Sequence, residues 1–148
     1  MLITFIFRQI TTFKLCAYLL MMDNLRREIR NVIKESFFPL SDPPMYGDSD
    51  YKKRGGKIFY KSPSDFLRLV PELKMDEETI ENIEDLKIHM KSGKEIDPPT
   101  LYVDGDVVID HDGRHRAYAA IELGFGEIPI LVIDANNKVE DFPVNKQV

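Results

Sequence analysis

The segment from Val107 to Ala120 places an apolar run, a glycine and a helix-forming stretch in direct succession. The pattern predicts a strand that turns at Gly113 into a helix beginning with Arg114, His115 and Arg116. N–H groups in the first turn of a helix lack intrahelical partners, and together with the helix dipole they attract anions. We therefore expect an anion site at this junction, although a strand, a glycine and a helix also occur together as a plain connection.

The residues around this junction form a longer pattern with the glycine and strand that follow: Asp112-Gly113-Arg114-His115-Arg116-Ala117, Ala119-Ala120, Leu123-Gly124 and Ile128-Pro129-Ile130. This pattern resembles the superfamily of ParB and sulfiredoxin proteins, which carries a Gly-x-His-Arg or related box at a helix start, then an alanine-rich helix, a glycine and an Ile-Pro-Val-like strand. The resemblance covers roughly Ile58 to Asp134. It implies a ParB/sulfiredoxin-like fold and a nucleoside triphosphate bound at the box.

By this resemblance, the predicted nucleotide-binding set consists of Gly113, Arg114, His115 and Arg116. Arg116 would be the charge clamp on the phosphates, and His115 a donor whose strength depends on pH. Arg114 lies one position around the helix from His115, so its side chain can point away from the phosphates. Alanines 117, 119 and 120 are expected to pack closely rather than to take part in chemistry.

Two carboxylates precede the glycine. Asp110 and Asp112 are candidate ligands for a Mg²⁺ ion that bridges to the phosphates, because two bare acids beside an anion would otherwise repel it. A simpler interpretation is that the Asp112 carboxylate caps the helix that follows. The candidate catalytic residues are Asp110, Asp112 and His115. The candidates for the general base of phosphotransfer or hydrolysis are four acids that precede the box in the sequence: Asp65, Glu72, Asp97 and Asp104.

The box also argues against one chemistry of the superfamily. Sulfiredoxins carry their reactive cysteine where this chain has Arg114, and the single cysteine, Cys16, lies far upstream. Without a thiolate in the box, we do not expect sulfiredoxin activity. One cysteine also excludes an internal disulfide framework and fits a reducing cytoplasm.

Among the remaining functions, the first hypothesis is a nucleoside-triphosphate-binding domain protein, either a small-molecule kinase or an NTPase. The alternatives are a ParB-like DNA-binding or nuclease module and a non-catalytic interaction protein. A formal net charge of −5 opposes non-specific binding to DNA. Only fifteen residues follow Ile133, too few for an added helix-turn-helix domain. The enzymatic activity is left open at this point.

The 148 residues suffice for one core, and the order of elements predicts an α+β fold with a small mixed sheet and packed helices. We expect an apolar extension at 1–22, a helix and a long loop at 23–57, the main domain at 58–134 and a loose tail at 135–148. Its longest uncharged run after Lys14, from Leu15 to Met22, is too short for a membrane span, so no membrane partner is expected. It is an amphipathic surface segment, an extra helix, or an untranslated stretch before a start at Met21 or Met22.

Turn residues, capping residues and apolar periodicity predict the individual helices, strands and loops. The loop at 40–56 reads as a flap over a substrate or as a mobile linker. Asp104-Gly105 predicts a hairpin with both central turn residues at positive φ. No role is assigned to His89. The remaining elements are a helix from Asp23, strand 58–60, a short helix starting at Ser62, a helix from 76 or 77 to about 92, strands 100–103 and 107–110, a helix at 113–123 and strand 128–133.

Overall fold

The computed structural model describes residues 21–26 and 38–146. The chain divides into two compact units, residues 1–36 and 37–148. In the first unit, residues 21–26 are helical, and Arg26 pairs with Asp23 at 3.6 Å. Because Asp23 lies within this helical stretch, its prediction as the helix start is wrong. The expectations for residues 1–20 and for the rest of that helix lie outside the described residues.

The second unit is an α+β fold built on a mixed sheet, as predicted. Its elements are β1 (Lys57–Lys61), α1 (Pro63–Leu69), α2 (Glu77–Lys91), β2 (Thr100–Asp104), β3 (Val107–Asp112), α3 (Arg114–Glu122), β4 (Ile128–Asp134) and β5 (Asn145–Lys146). The sheet order is β1-β4-β2-β3-β5. β4 runs parallel to β2 and β5 parallel to β3, while the β1–β4 and β2–β3 pairs are antiparallel.

Strand β4 is buried along its whole length, which confirms the prediction from its apolar run. Ile128, Ile130 and Val132 belong to the main core, together with apolar residues of α1, α2 and α3. Leu131 and Ile133 form a second cluster on the opposite face of the sheet. A strand covered on both faces needs apolar residues at successive positions, which explains why β4 lacks the alternation of a half-exposed strand.

The starts of α1 and α2 follow the sequence signals closely. The Ser62 hydroxyl accepts the Asp65 N–H at 3.1 Å, and the Asp76 carboxylate accepts the Thr79 N–H at 3.0 Å. Each cap satisfies one of the backbone donors that a helix start leaves without a partner. The apolar residues of α2 are only partly buried: Ile83 and Met90 lie in the core, whereas Ile80 is half-exposed.

The hairpin between β2 and β3 forms where predicted, but its turn is shifted by one residue. Asp104 pairs with Val107, so the two loop residues are Gly105 and Asp106. Gly105 has a φ of 64°, whereas no non-glycine residue in the described ranges has a positive φ. The expectation of positive φ at both Asp104 and Gly105 is therefore wrong. A buried aspartate, Asp134, anchors the turn by accepting the Gly105 N–H at 3.0 Å.

The long loop that precedes β1 packs on the second face of the sheet. Tyr51 is almost fully buried in the cluster with Leu131 and Ile133, and its hydroxyl donates to Asp42 at 2.9 Å. The Tyr102 hydroxyl of β2 donates to Asp48 of the loop at 2.7 Å. Because these contacts fix the loop to the sheet, the mobile-linker prediction is wrong.

The segment that follows β4 also packs on the unit. Val139 is buried, and the Phe142 ring contacts Phe59 edge to face, with centroids 5.7 Å apart. β5 then extends the sheet beside β3. The prediction of a loose tail therefore does not hold for residues 139–146.

Candidate anion site at the start of α3

Helix α3 begins where the sequence predicts, at a glycine without a side-chain cap. Gly113 is the N-cap residue, with a φ of 98° and a ψ of 22°. Its carbonyl accepts the Ala117 N–H at 3.0 Å, which starts the helical hydrogen bonds. No side chain of the described residues caps α3, so the N–H groups of its first turn have no side-chain acceptor.

The reason for a glycine at this position is packing within the chain. A Cβ atom at Gly113 would lie 2.8 Å from the Cα atom of Pro99, which is closer than real Cβ atoms come. The left-handed backbone also disfavours a side chain there. The close approach of Pro99 therefore requires a glycine at position 113.

The guanidinium group of Arg116 has three acceptors within the protein. Its Nη1 atom donates to the carbonyl oxygens of Asp97 at 2.9 Å and Pro98 at 2.8 Å. Its Nη2 atom donates to the Asp112 carboxylate. Because Asp112 bonds to Arg116 and accepts no helix N–H, its prediction as the cap of α3 is wrong. The Arg116 side chain is 17% exposed, so part of it still reaches the surface.

Arg114 points away from the other predicted phosphate ligands. Its guanidinium donates to the carbonyl oxygens of Pro71 at 3.3 Å and Glu72 at 3.0 Å, beyond the end of α1. These bonds tie α3 to the segment between α1 and α2. Arg114 therefore has a structural partner of its own, as its place on the helix suggested.

His115 faces a cleft between α2 and α3. The cleft has a volume of about 470 Å³. The start of α3 contributes Asp112, Gly113, His115 and Arg116 to its lining, and α2 contributes Asn82, Asp85, Leu86 and His89. The four α2 positions follow helical spacing and share one face. The structure therefore brings together four of the predicted residues with a second wall that the sequence analysis missed.

A signal for that second wall was present in the sequence. Asn82, Asp85 and His89 place polar side chains on one face of α2, around Leu86. On its own this pattern is also typical of a solvent-exposed face. Only the packing of α2 beside α3 turns it toward the box.

The electrostatics of the cleft combine both signs of charge. Asp76, the cap of α2, lies outside the lining; its pKa is below the usual value, chiefly because the Thr79 N–H donates to the carboxylate, with a smaller contribution from the charge of His115. Asp85 and Asp112 add carboxylates, while His115, His89 and Arg116 add cationic or ionisable donors. The cleft is thus polar without a strong excess of either charge.

Asp110 lies outside the lining of the cleft. It pairs in register with Tyr102, on the face of the sheet that the long loop covers, and its Oδ1 atom accepts the His111 N–H at 2.8 Å.

Burial raises the pKa of Tyr102 to about 12, with a further contribution from its hydrogen bond to Asp48. Burial also lowers the pKa of His111, assisted by the charge of Arg114.

The predicted Mg²⁺ site receives limited support from these positions. The described residues contain no group of three or more His, Cys, Asp or Glu side chains arranged for a metal ion. Mg²⁺ commonly binds through one or two carboxylates together with substrate phosphates and water. Of the two predicted ligands, Asp112 lines the cleft and fits this mode, whereas Asp110 does not line it.

The acids considered for a general base also lie outside the cleft lining. Asp65 accepts the Ser62 hydroxyl at 2.8 Å. The carboxylate of Asp97 accepts the N–H groups of Met45 at 2.6 Å and Tyr46 at 2.9 Å. Besides Asp112, the carboxylate in the lining is Asp85, which the sequence analysis did not select.

Comparisons with protein-family models, curated proteins and solved structures give no match to this chain. The resemblance to the ParB and sulfiredoxin superfamily therefore remains a prediction from the box residues. In the described ranges, no helix combines the length and the apolar character that crossing a membrane requires.

Proposed function

We propose that this protein binds a nucleoside triphosphate, with its phosphates at the N-terminus of α3. One observation carries the proposal: the helix begins at Gly113 without a side-chain cap, and its first turn borders the cleft between α2 and α3. Uncapped N–H groups and the positive end of the helix dipole favour a phosphate at this point. The family resemblance of the box supports the same location.

The side chains at the helix start support an anionic ligand of limited size. His115 lines the cleft and can donate to a phosphate oxygen, while Arg116 adds a guanidinium at its edge. The volume of about 470 Å³ lies within the range of small-molecule sites, roughly 300–1,000 Å³. A cleft bounded by two helices is better suited to a nucleotide than to a DNA duplex. The net charge of −5 points the same way.

Asp112 has a defined part in this proposal. Its carboxylate already pairs with Arg116, so a phosphate must displace it or share a Mg²⁺ ion with it. Displacement would free the guanidinium for the ligand. A shared ion would keep Asp112 in place and make binding depend on Mg²⁺.

If the bound nucleotide reacts, the α2 wall supplies the groups for proton transfer. Asp85 and His89 occupy neighbouring turns of α2 and line the cleft opposite the box. A base at this wall would activate a water molecule or an acceptor hydroxyl for attack on the terminal phosphate. Kinase and NTPase activity both remain within the proposal.

Binding is tested by calorimetry on the full chain with ATP, CTP, GTP and inorganic tripolyphosphate, each with and without Mg²⁺. We expect His115→Ala to weaken binding by about 1.5–3 kcal/mol, the contribution of a hydrogen bond to a charged group. The matched control is His111→Ala, because His111 lies outside the cleft lining and should leave the affinity unchanged. Equal affinities for both variants and the wild type would contradict the site.

A second variant separates the two roles of Asp112. If phosphate displaces the carboxylate, Asp112→Asn strengthens binding without Mg²⁺, because a competing negative charge is gone. If Asp112 holds a shared ion, the same variant weakens binding only when Mg²⁺ is present. Arg116→Ala is a poorer test, since that side chain also holds the carbonyl groups of Asp97 and Pro98.

A further inference from the structure

The long loop presents two apolar side chains to solvent on a fixed backbone. Tyr46 is 82% exposed, the highest value among the large hydrophobic residues of the described ranges, and Met45 is 53% exposed. Their N–H groups both donate to the carboxylate of Asp97, at 2.6 Å from Met45 and 2.9 Å from Tyr46. The exposure therefore occurs at a point where hydrogen bonds hold the main chain.

The same aspartate connects this part of the loop to the start of α3. The carbonyl oxygen of Asp97 accepts a hydrogen bond from Arg116 Nη1 at 2.9 Å. The preceding residue, Ile96, exchanges backbone hydrogen bonds with the base of the loop, at 2.7 Å to Pro39 and 3.0 Å from Ser41. A single residue thus stands between the exposed tyrosine and the arginine that lines the cleft.

We propose that Tyr46, flanked by Met45, is a stacking surface for the aromatic base of a nucleotide whose phosphates lie at the N-terminus of α3. This inference rests on the proposed function and adds the recognition of the nucleoside part. Aromatic side chains stack on bases of every kind because each base has a π-face. The methionine thioether is polarizable and adapts its shape to aromatic neighbours.

The held backbone explains why a loop can serve this purpose. Binding to a mobile loop would include the entropic cost of ordering it, whereas the bonds to Asp97 order this part of the chain in advance. The side chain of Tyr46 then has only its own torsions to fix. Asp97 is accordingly a positioning residue, because its carboxylate acts through the loop backbone.

The experiment compares ATP with inorganic tripolyphosphate, which has the phosphates but no base, by calorimetry on the full chain. We expect Tyr46→Ala to weaken ATP binding about tenfold, in line with the usual strength of base stacking, and to leave tripolyphosphate binding unchanged. Tyr46→Phe keeps the ring and should bind ATP as the wild type does. The matched control is Tyr60→Ala, because Tyr60 is also exposed, at 55%, but lies on β1.

A fourth variant tests the positioning role. Asp97→Asn leaves one side-chain acceptor oxygen in place of two, so one loop N–H loses its partner. The carbonyl group that accepts from Arg116 is part of the backbone and stays. We expect ATP binding to weaken less than in Tyr46→Ala, with no change for tripolyphosphate.

The outcomes separate this inference from the function on which it rests. Unchanged ATP affinity in Tyr46→Ala, or an equal loss for ATP and tripolyphosphate, overturns the stacking surface while leaving the phosphate site intact. A wild-type chain that binds neither ligand overturns both proposals. ATP binding in a chain that does not bind tripolyphosphate also overturns both, because the stacking surface is proposed for a nucleotide whose phosphates lie at α3.

Discussion

The helices of the second unit begin in two different ways. Ser62 and Asp76 cap α1 and α2 with side-chain oxygens, whereas α3 begins at Gly113 in the left-handed region and without a side-chain cap. At α1 and α2 a side chain accepts one of the backbone N–H groups of the first turn. At α3 the chain leaves these groups to solvent or to a ligand. The comparison locates the candidate anion site at the helix start that lacks a local acceptor.

The largest expected effect concerns the glycine itself. Gly113→Ala should lower the free energy of unfolding by at least about 3 kcal/mol, because a left-handed alanine is strained and its Cβ would contact the backbone of Pro99. Gly124→Ala is the control, with a φ of 77° and no atom within 4 Å of the added Cβ. It should lose only about 1–2 kcal/mol. Urea unfolding measures both, and equal losses would show that Pro99 moves aside.

The capped helices provide the next test. Ser62→Ala should cost about 1 kcal/mol of unfolding free energy, because the Asp65 N–H loses its acceptor. Asp112→Ala, at the residue before Gly113, should cost less, since it removes a partly exposed ion pair and no cap. Thermal or urea unfolding compares the two. A larger loss in Asp112→Ala would mean that this carboxylate stabilises the start of α3 after all.

The smallest effect is a pH dependence at the cap of α2. The Thr79 N–H lowers the pKa of Asp76 below its usual 3.8, so the ionised cap stabilises the folded state above that value. This contribution is lost as the pH falls through the lowered folded-state pKa. Asp76→Asn keeps an acceptor without a charge, so the difference in Tm between wild type and variant should be constant above about pH 5 and disappear in stronger acid. A difference independent of pH would contradict the charged cap.

The elements that the sequence predicted well depend on neighbouring residues. The cap at Ser62, the end of α2 near Ser92 and the helix from Gly113 toward Leu123 all appear as expected. Their signals act within one or two turns of the chain, where a side chain meets the backbone that follows it. The buried strand β4 was equally clear, because an uninterrupted apolar run has few stable places other than an interior.

Two predictions failed because another partner took the group concerned. Asp112 has the local pattern of a cap, yet Arg116, one helical turn further along, takes its carboxylate. The loop at 40–56 has the composition of a linker, yet Tyr51 and Asp48 hold it to the sheet. The loop contacts join segments far apart in the chain, and such contacts leave no periodic signal in the sequence.

The candidate site also combines features set by neighbouring residues with features set by contacts across the fold. The sequence by itself determined the helix start at Gly113 and the basic residues that follow it, because glycine and helix signals act locally. Only the tertiary structure decided that Arg114 turns to the segment after α1, that Arg116 holds Asp97 and that one face of α2 completes the cleft. A side chain takes the acceptors that packing brings within reach, and these come from segments many residues away.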